Sequence, residues 1–164
     1  VSLVIEPLRR RHVPAVARIE KLTSTNPWSA ELFRGELALP EASRAYRVAR
    51  RDGRLVGYGG LMFVLDEAHV TTLSVHPDHQ GQGIGTRLLV ALVHEARDRG
   101  TRALTLEVRA SNEAAQALYR RFGFAPAGIR KNYYAEVGED AVIMWAHDID
   151  GPEYAERLEG IGAA

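Results

Sequence analysis

The chain of 164 residues contains no cysteine, which excludes a disulfide framework, a thiolate metal site and a cysteine nucleophile. It shows no signal-peptide pattern and no run of about eighteen apolar residues, so a soluble, cytoplasmic protein is expected, with no membrane partner. Charge of one sign is missing too: Lys+Arg and Asp+Glu each number 21. A dedicated nucleic-acid binder would carry a basic excess, so direct nucleic-acid binding is not expected. His94-Glu95-Ala96-Arg97-Asp98 lacks the second histidine of a zinc-protease helix, and no other histidine spacing suggests ligands, so no metal is expected. Neither a repeat nor a low-complexity linker is visible. What is present is 46% hydrophobic content, enough for a domain with a core of its own.

The most informative stretch runs from Leu73-Ser74-Val75 through His76-Pro77-Asp78-His79-Gln80 to Gly81-Gln82-Gly83-Ile84-Gly85-Thr86. An apolar strand enters a Pro-Asp turn and a glycine-rich loop, and the loop opens onto an amphipathic helix. Glycines at alternate positions let main-chain N–H groups turn toward one point, and the helix start adds unpaired N–H groups and the positive end of its dipole. That is an anion site, suited to a phosphate or pyrophosphate held mainly by main chain. A P-loop needs a lysine where Thr86 and Arg87 follow Gly85, and fails. A dinucleotide fingerprint needs glycine at Thr86, although Glu107 stands where its ribose acid would be; it half-fits and stays open beside an ordinary glycine turn.

Strands and helices alternate along the chain. A strand is expected at residues 3–7, then a helix carrying Val13, Val16, Ala17, Ile19 and Glu20, broken at Asn26-Pro27. Ser29 reads as an N-cap, with Trp28 and Phe33 as a hydrophobic staple for a helix over residues 30–39. Arg51-Asp52-Gly53-Arg54 is a hairpin signal between strands at 45–50 and 55–64. With a strand at 68–75 these form an antiparallel meander. The helix from Gly83 carries Ile84, Leu88, Ala91, Leu92 and Ala96 and ends at Gly100. A strand at 103–108, a helix capped at Ser111 or Asn112 and stopped at Gly123, and strands at 124–134 and 141–148 complete the pass. The strand-helix-strand unit around the loop should be parallel and right-handed, bringing loop, Glu107 and Asn112 to one cleft.

Glu107 is an acid within an otherwise apolar strand, which suggests either a functional carboxylate or an ion pair with Arg109 on the same side. Tyr119 shares the apolar face of its helix with Ala115, Leu118 and Phe122, as a core aromatic would, yet a buried tyrosine hydroxyl needs a partner and a ligand atom can supply one. Arg9-Arg10-Arg11 reads as a solvated basic turn or as a docking aid for an acidic or ribosomal partner.

The pattern Gln80, Gly83, Gly85 between a strand and a helix resembles the acetyl-coenzyme A loop of the Gcn5-related N-acetyltransferases. The resemblance sharpens at Leu106-Glu107-Val108-Arg109-Ala110-Ser111-Asn112, Ala117-Leu118-Tyr119, Gly123-Phe124, Arg130-Lys131-Asn132-Tyr133-Tyr134 and Glu139-Asp140-Ala141. Together with Asn26-Pro27-Trp28-Ser29, these look like the bacterial RimI-type ribosomal-protein-alanine N-acetyltransferases, over residues 3–149. The resemblance implies an α/β fold with a mixed, mostly antiparallel sheet, one parallel strand-helix-strand unit at the acetyl-CoA loop, and flanking helices. It implies one acetyltransferase domain at residues 1–149, with 150–164 a C-terminal tail outside it. Acetyl-CoA as co-substrate would be bound by Leu73, Ser74, Val75, Gly81, Gln82, Gly83, Ile84, Gly85, Thr86 and Asn112. Glu107 would be general base, Tyr119 general acid, and Trp28, Tyr133 and Tyr134 would face the acceptor. Gly81 stands where some relatives carry arginine, and His76 replaces a more usual acid and is assigned no role.

The implied reaction is acetyl transfer to the α-amino group of a protein N-terminus, an N-terminal alanine of a small-subunit ribosomal protein, in a ternary complex; the oligomeric state stays open, with a monomer favoured. A protein α-amino group has a reference pKa of about 8 and must lose a proton before it attacks a thioester, so a base is useful. A main-chain N–H beside Val75 would stabilise the tetrahedral oxyanion, and a tyrosine hydroxyl would protonate the departing thiolate. A small-amine acetyltransferase and a noncatalytic acyl-CoA sensor remain as alternatives; the joint presence of Glu107 and Tyr119 disfavours the sensor.

Overall fold

Asp52 and Gly53 take φ values of 52° and 83°, the left-handed pair that a two-residue hairpin turn requires. They join β2 (Arg44–Arg51) to β3 (Arg54–Val64). The structure, a computed structural model, describes residues 2–163. Around that hairpin the chain runs β1 (Leu3–Pro7), α1 (Val13–Thr23), α2 (Ala30–Leu37), then β2, β3 and β4 (Glu67–Val75). It continues through α3 (Ile84–Asp98), β5 (Ala103–Arg109), α4 (Glu113–Arg121), β6 (Ala125–Tyr134), β7 (Glu139–His147) and α5 (Pro152–Ala163). The strands form one seven-stranded sheet in the order β1-β2-β3-β4-β5-β7-β6. Strand β4 runs parallel to β5, whereas β1 with β2, β2 with β3, and β7 with both β5 and β6 run antiparallel. The mixed α/β architecture expected from the sequence is the one found. No described helix is long and apolar enough to cross a membrane.

The chain divides into two compact units, the first running through Phe63 and taking up again over Val70–Glu95. In it α1 lays Val13, Val16 and Ile19 against Val48, Tyr58 and Phe33. Ser29 caps α2 as expected, its hydroxyl accepting the Leu32 N–H at 3.1 Å. Trp28 meets Phe33 with ring centroids 5.3 Å apart, closing the staple. The helix stops two residues short of the expected end because Ala38 N–H already turns to the Gly35 carbonyl, tightening the last turn. Helix α3 has a wider apolar face than its expected stripe: Leu89 and Val93 are fully buried with Ile84, Leu88 and Leu92, while Ala91 is half-buried. Gly57 permits this packing, since a Cβ there would stand 2.9 Å from the Ser74 carbonyl oxygen and 3.1 Å from Leu88 Cδ1.

The second unit comprises Val64–His69 and the chain from Ala96 onward. In β5, Leu104, Leu106 and Val108 are buried, and Thr105, Glu107 and Arg109 are half-buried on the alternate face. Residues 150–164, expected as a tail, form α5 over most of their length. Tyr154 and Leu158 are buried, and the Tyr154 hydroxyl donates to the Phe122 carbonyl at 2.5 Å. Gly123, at φ 84°, ends α4 as the sequence suggested.

Candidate functional site

Strand β4 ends at Val75, and the following turn is held from within. His76 Nδ1 accepts the Asp78 N–H at 3.1 Å, capping the turn at Pro77–His79, so the residue given no role from sequence has a structural one. Gln80 Nε2 donates to the Val75 carbonyl at 3.2 Å and ties the loop back to the strand end. Gly81 and Gly83 then take φ of 77° and 79°, a conformation costly for any other residue. Gly85 differs: it lies in the first turn of α3. The Arg87 N–H bonds the Gly83 carbonyl at 3.1 Å, making Gly83 the helix cap. The amides of Ile84 and Gly85 therefore have no intrahelical acceptor, and they stand at the positive end of a fifteen-residue helix. A Cβ at Gly81 or Gly83 would meet nothing within 4 Å. The space above the loop is open to an anion.

The same unit holds Leu73, Ser74 and Val75. Leu73 and Val75 pack on Ala49, Val56, Ile84 and Leu88, and Ser74 Oγ accepts from Thr23 Oγ1 at 3.3 Å. The main chain resolves which amide beside Val75 is engaged: His76 N–H donates to the Val56 carbonyl at 2.8 Å. Successive strand amides point to opposite edges, so the Val75 N–H points away from β3. Half-buried Trp28 donates its main-chain N–H to Glu20 Oε2 at 3.0 Å. Glu20 is itself buried and also takes the Tyr58 hydroxyl. The sequence showed Glu20 on the apolar stripe of its helix but not what it held.

In the second unit Glu107 projects from β5 with its side chain 11% exposed. What the fold brings to it is His69, whose Nε2 lies 2.9 Å from Oε2. The sequence reading offered Arg109 as its structural partner and missed His69, because only strand register reveals the contact. The Tyr133 hydroxyl donates to Glu107 Oε1 at 3.4 Å, and Tyr134 reaches the Glu107 carbonyl at 3.5 Å. Both tyrosines leave a register shift between Arg130 and Tyr134 in the β6 ladder. Asn132 takes φ 51° there, its N–H held by Asp140 Oδ1 at 2.7 Å. Burial, then the charges of Tyr133 and Glu107, push the Tyr134 phenol up to about 12.

Tyr119 is 8% exposed and packs edge-on against Phe124 at 5.6 Å. Among the described residues its hydroxyl has no hydrogen-bond partner. Burial, then Tyr134, holds this phenol well above the ordinary tyrosine range, so it stays protonated and able to donate. Asn112 serves as the α4 cap, its Oδ1 accepting the Ala115 N–H at 3.1 Å. Glu107, Tyr133 and Tyr134 thus gather in this unit, with Tyr134 acting electrostatically on Tyr119. Among the described residues no group of three or more His, Asp or Glu side chains is placed to hold a metal ion.

Comparison with known proteins gives this arrangement a context. Residues 13–124 match the family model described as the acetyltransferase (GNAT) family. The chain is 39% identical over 142 residues to the [ribosomal protein bS18]-alanine N-acetyltransferase of Escherichia coli K12, covering 85% of this chain and 94% of that protein. It is 39% identical over 148 residues to the N-alpha-acetyltransferase RimI of Mycobacterium tuberculosis, covering 87% and 90% respectively. The crystal structure of the ribosomal-protein-S18-alanine N-acetyltransferase from Escherichia coli superposes with a TM-score of 0.81 at 38% identity, over 90% of this chain and 94% of that one.

Proposed function

The chain belongs to the acetyltransferase (GNAT) family, and on that premise we propose that it is an N-terminal acetyltransferase acting on the alanine N-terminus of a ribosomal protein. The observation that carries this is its 39% identity to a ribosomal-protein-alanine N-acetyltransferase across 94% of that protein's length. The chain is an acetyl-CoA-dependent N-acyltransferase; a ribosomal acceptor entails a cytoplasmic enzyme.

The loop from Gly81 to Thr86 takes the pyrophosphate on its main-chain amides, with Leu73, Ser74 and Val75 alongside the donor and Asn112 adding a contact. Glu107 accepts a proton from the acceptor ammonium, and the neutral amine attacks the thioester carbon directly. The oxyanion so formed suits the Val75 N–H, which β3 does not use. Collapse breaks the carbon–sulfur bond as Tyr119 gives its proton to the thiolate, and the proton that the attacking nitrogen then sheds returns by way of water to the Tyr119 phenolate. Trp28, Tyr133 and Tyr134 border the acceptor. No covalent enzyme intermediate is needed.

The test is incubation of the protein with acetyl-CoA and a library of short peptides, read by mass spectrometry. Acetylation confined to free N-termini, strongest on alanine, is expected. Acetylation of small amines in preference to peptides would point to the small-molecule alternative, and no turnover of any amine to a sensor.

A further inference from the structure

The two oxygens of Glu107 have different neighbours. Oε2 lies 2.9 Å from His69 Nε2, whereas among the described residues Oε1 has only the longer Tyr133 contact at 3.4 Å, which an incoming donor displaces easily. Nitrogen and carboxylate oxygen approach to 2.9 Å with a proton between them, so Nε2 carries it and donates to Oε2. The backbone explains the pairing. The register partner of His69 on the parallel strand β5 is Thr105, and Glu107 is the next residue on the same face of that strand. The carboxylate is largely buried and the imidazole is 30% exposed.

We propose that His69 is a positioning residue for the transfer reaction, its Nε2–H fixing the Glu107 carboxylate so that Oε1 is the oxygen that takes the acceptor's proton. The proposal rests on the assignment of Glu107 as base. In the step itself the acceptor ammonium gives one proton to Oε1 and becomes the amine that forms the new carbon–nitrogen bond. His69 keeps its own proton throughout. A neutral imidazole orients the carboxylate without adding charge, but an imidazolium places a positive charge beside it and weakens it as a base. The other titratable or charged groups around the pair are Tyr133 and Tyr134 on β6 and Arg130, 5.4 Å from the Tyr133 ring centroid. Arg109 and Glu139 both act on Tyr134, and Glu67 and His147, register partners of Ala103, lie further along the same face. Among these side-chain types only imidazole ordinarily changes charge between about pH 5 and 8.

The experiment compares native protein with His69→Leu, His69→Gln and Glu107→Gln, using acetyl-CoA and an alanine-starting peptide across a pH series. His69→Leu should lower kcat by about tenfold to a hundredfold, the scale of misplacing a reacting group, with little change in the acceptor KM. His69→Gln keeps an N–H donor and should recover most of that loss. Because glutamine does not titrate, its acidic limb in kcat/KM should lie at lower pH than that of the native protein. Native kcat and an unchanged pH profile in both His69 variants, with Glu107→Gln inactive, would overturn the role of His69 alone. Full activity of Glu107→Gln would remove the base assignment and the role of His69 with it. Should His69→Leu fail to fold, the displaced acidic limb of His69→Gln decides the matter.

Discussion

Oε2 of buried Glu20 accepts the main-chain N–H of Trp28 at 3.0 Å. Its other oxygen takes the hydroxyl of Tyr58, so one carboxylate on α1 holds both the segment leading into α2 and the middle of β3. Thr23, three residues on, extends the tie to Ser74 on β4. The position of Trp28 therefore depends on a buried side chain.

Replacing Glu20 by leucine should destabilise the protein, since each buried donor left without a partner costs about 1–3 kcal/mol. Glu20→Gln keeps a carbonyl oxygen and should cost less. Urea unfolding measures both. A leucine variant as stable as the native protein would mean that Trp28 and Tyr58 find other acceptors.

Gly83→Val should weaken coenzyme A binding more than tenfold while leaving the protein folded. The left-handed φ costs a residue with a side chain about 1–2 kcal/mol, and a branched one projects into the open space where the anion would sit. Gly83→Ala pays the backbone cost alone and should bind better than the valine variant. Calorimetry with coenzyme A is the measurement, and unchanged affinity in a folded Gly83→Val would sink the loop assignment.

Tyr119→Phe keeps the ring against Phe124 and removes only the hydroxyl. If that hydroxyl protonates the leaving thiolate, kcat should fall by about a hundredfold or more, with the acceptor KM little changed. A donor with a more acidic thiol needs less help to depart and should partly rescue the variant. An equal defect with both donors would count against the general-acid role.

Stability should fall in strong alkali. Burial is the leading cause that raises the phenols of Tyr46, Tyr58, Tyr119, Tyr134 and Tyr154, the last two to about 12. In the unfolded chain tyrosine ionises near about pH 10, so these groups contribute stability that is fully present below that point. It is lost as pH rises through the folded-state values, because the unfolded chain gives up its protons first. Urea unfolding at stepped alkaline pH tests this, and Tyr154→Phe should show a shallower decline than the native protein. A flat stability profile through this window would contradict it.

Features set by a few adjacent residues were legible in the sequence. Asp52-Gly53 named its turn because a two-residue hairpin needs left-handed φ at both centres. Ser29 named its helix start because a hydroxyl there reaches an N–H three residues on. The glycine loop showed its left-handed backbone before a helix for the same local reason, and Glu107 stood out as an acid in an apolar strand. The helix over residues 152–163 was not foreseen, since its burial depends on where Phe122 and Gly123 lie.

The sequence by itself determined most of the elements up to β7, the glycine loop that opens α3 and the identity of the acid on β5, because each follows from spacing along the chain and local backbone chemistry. Only the tertiary structure decided what those residues meet. His69 and Glu107 are 38 positions apart, by their numbers, and touch because a parallel ladder sets His69 beside Thr105. Glu20 meets Tyr58 because a helix lies on a particular strand. Such contacts depend on register and packing, and a shift of one residue along β5 would turn Glu107 to the other face.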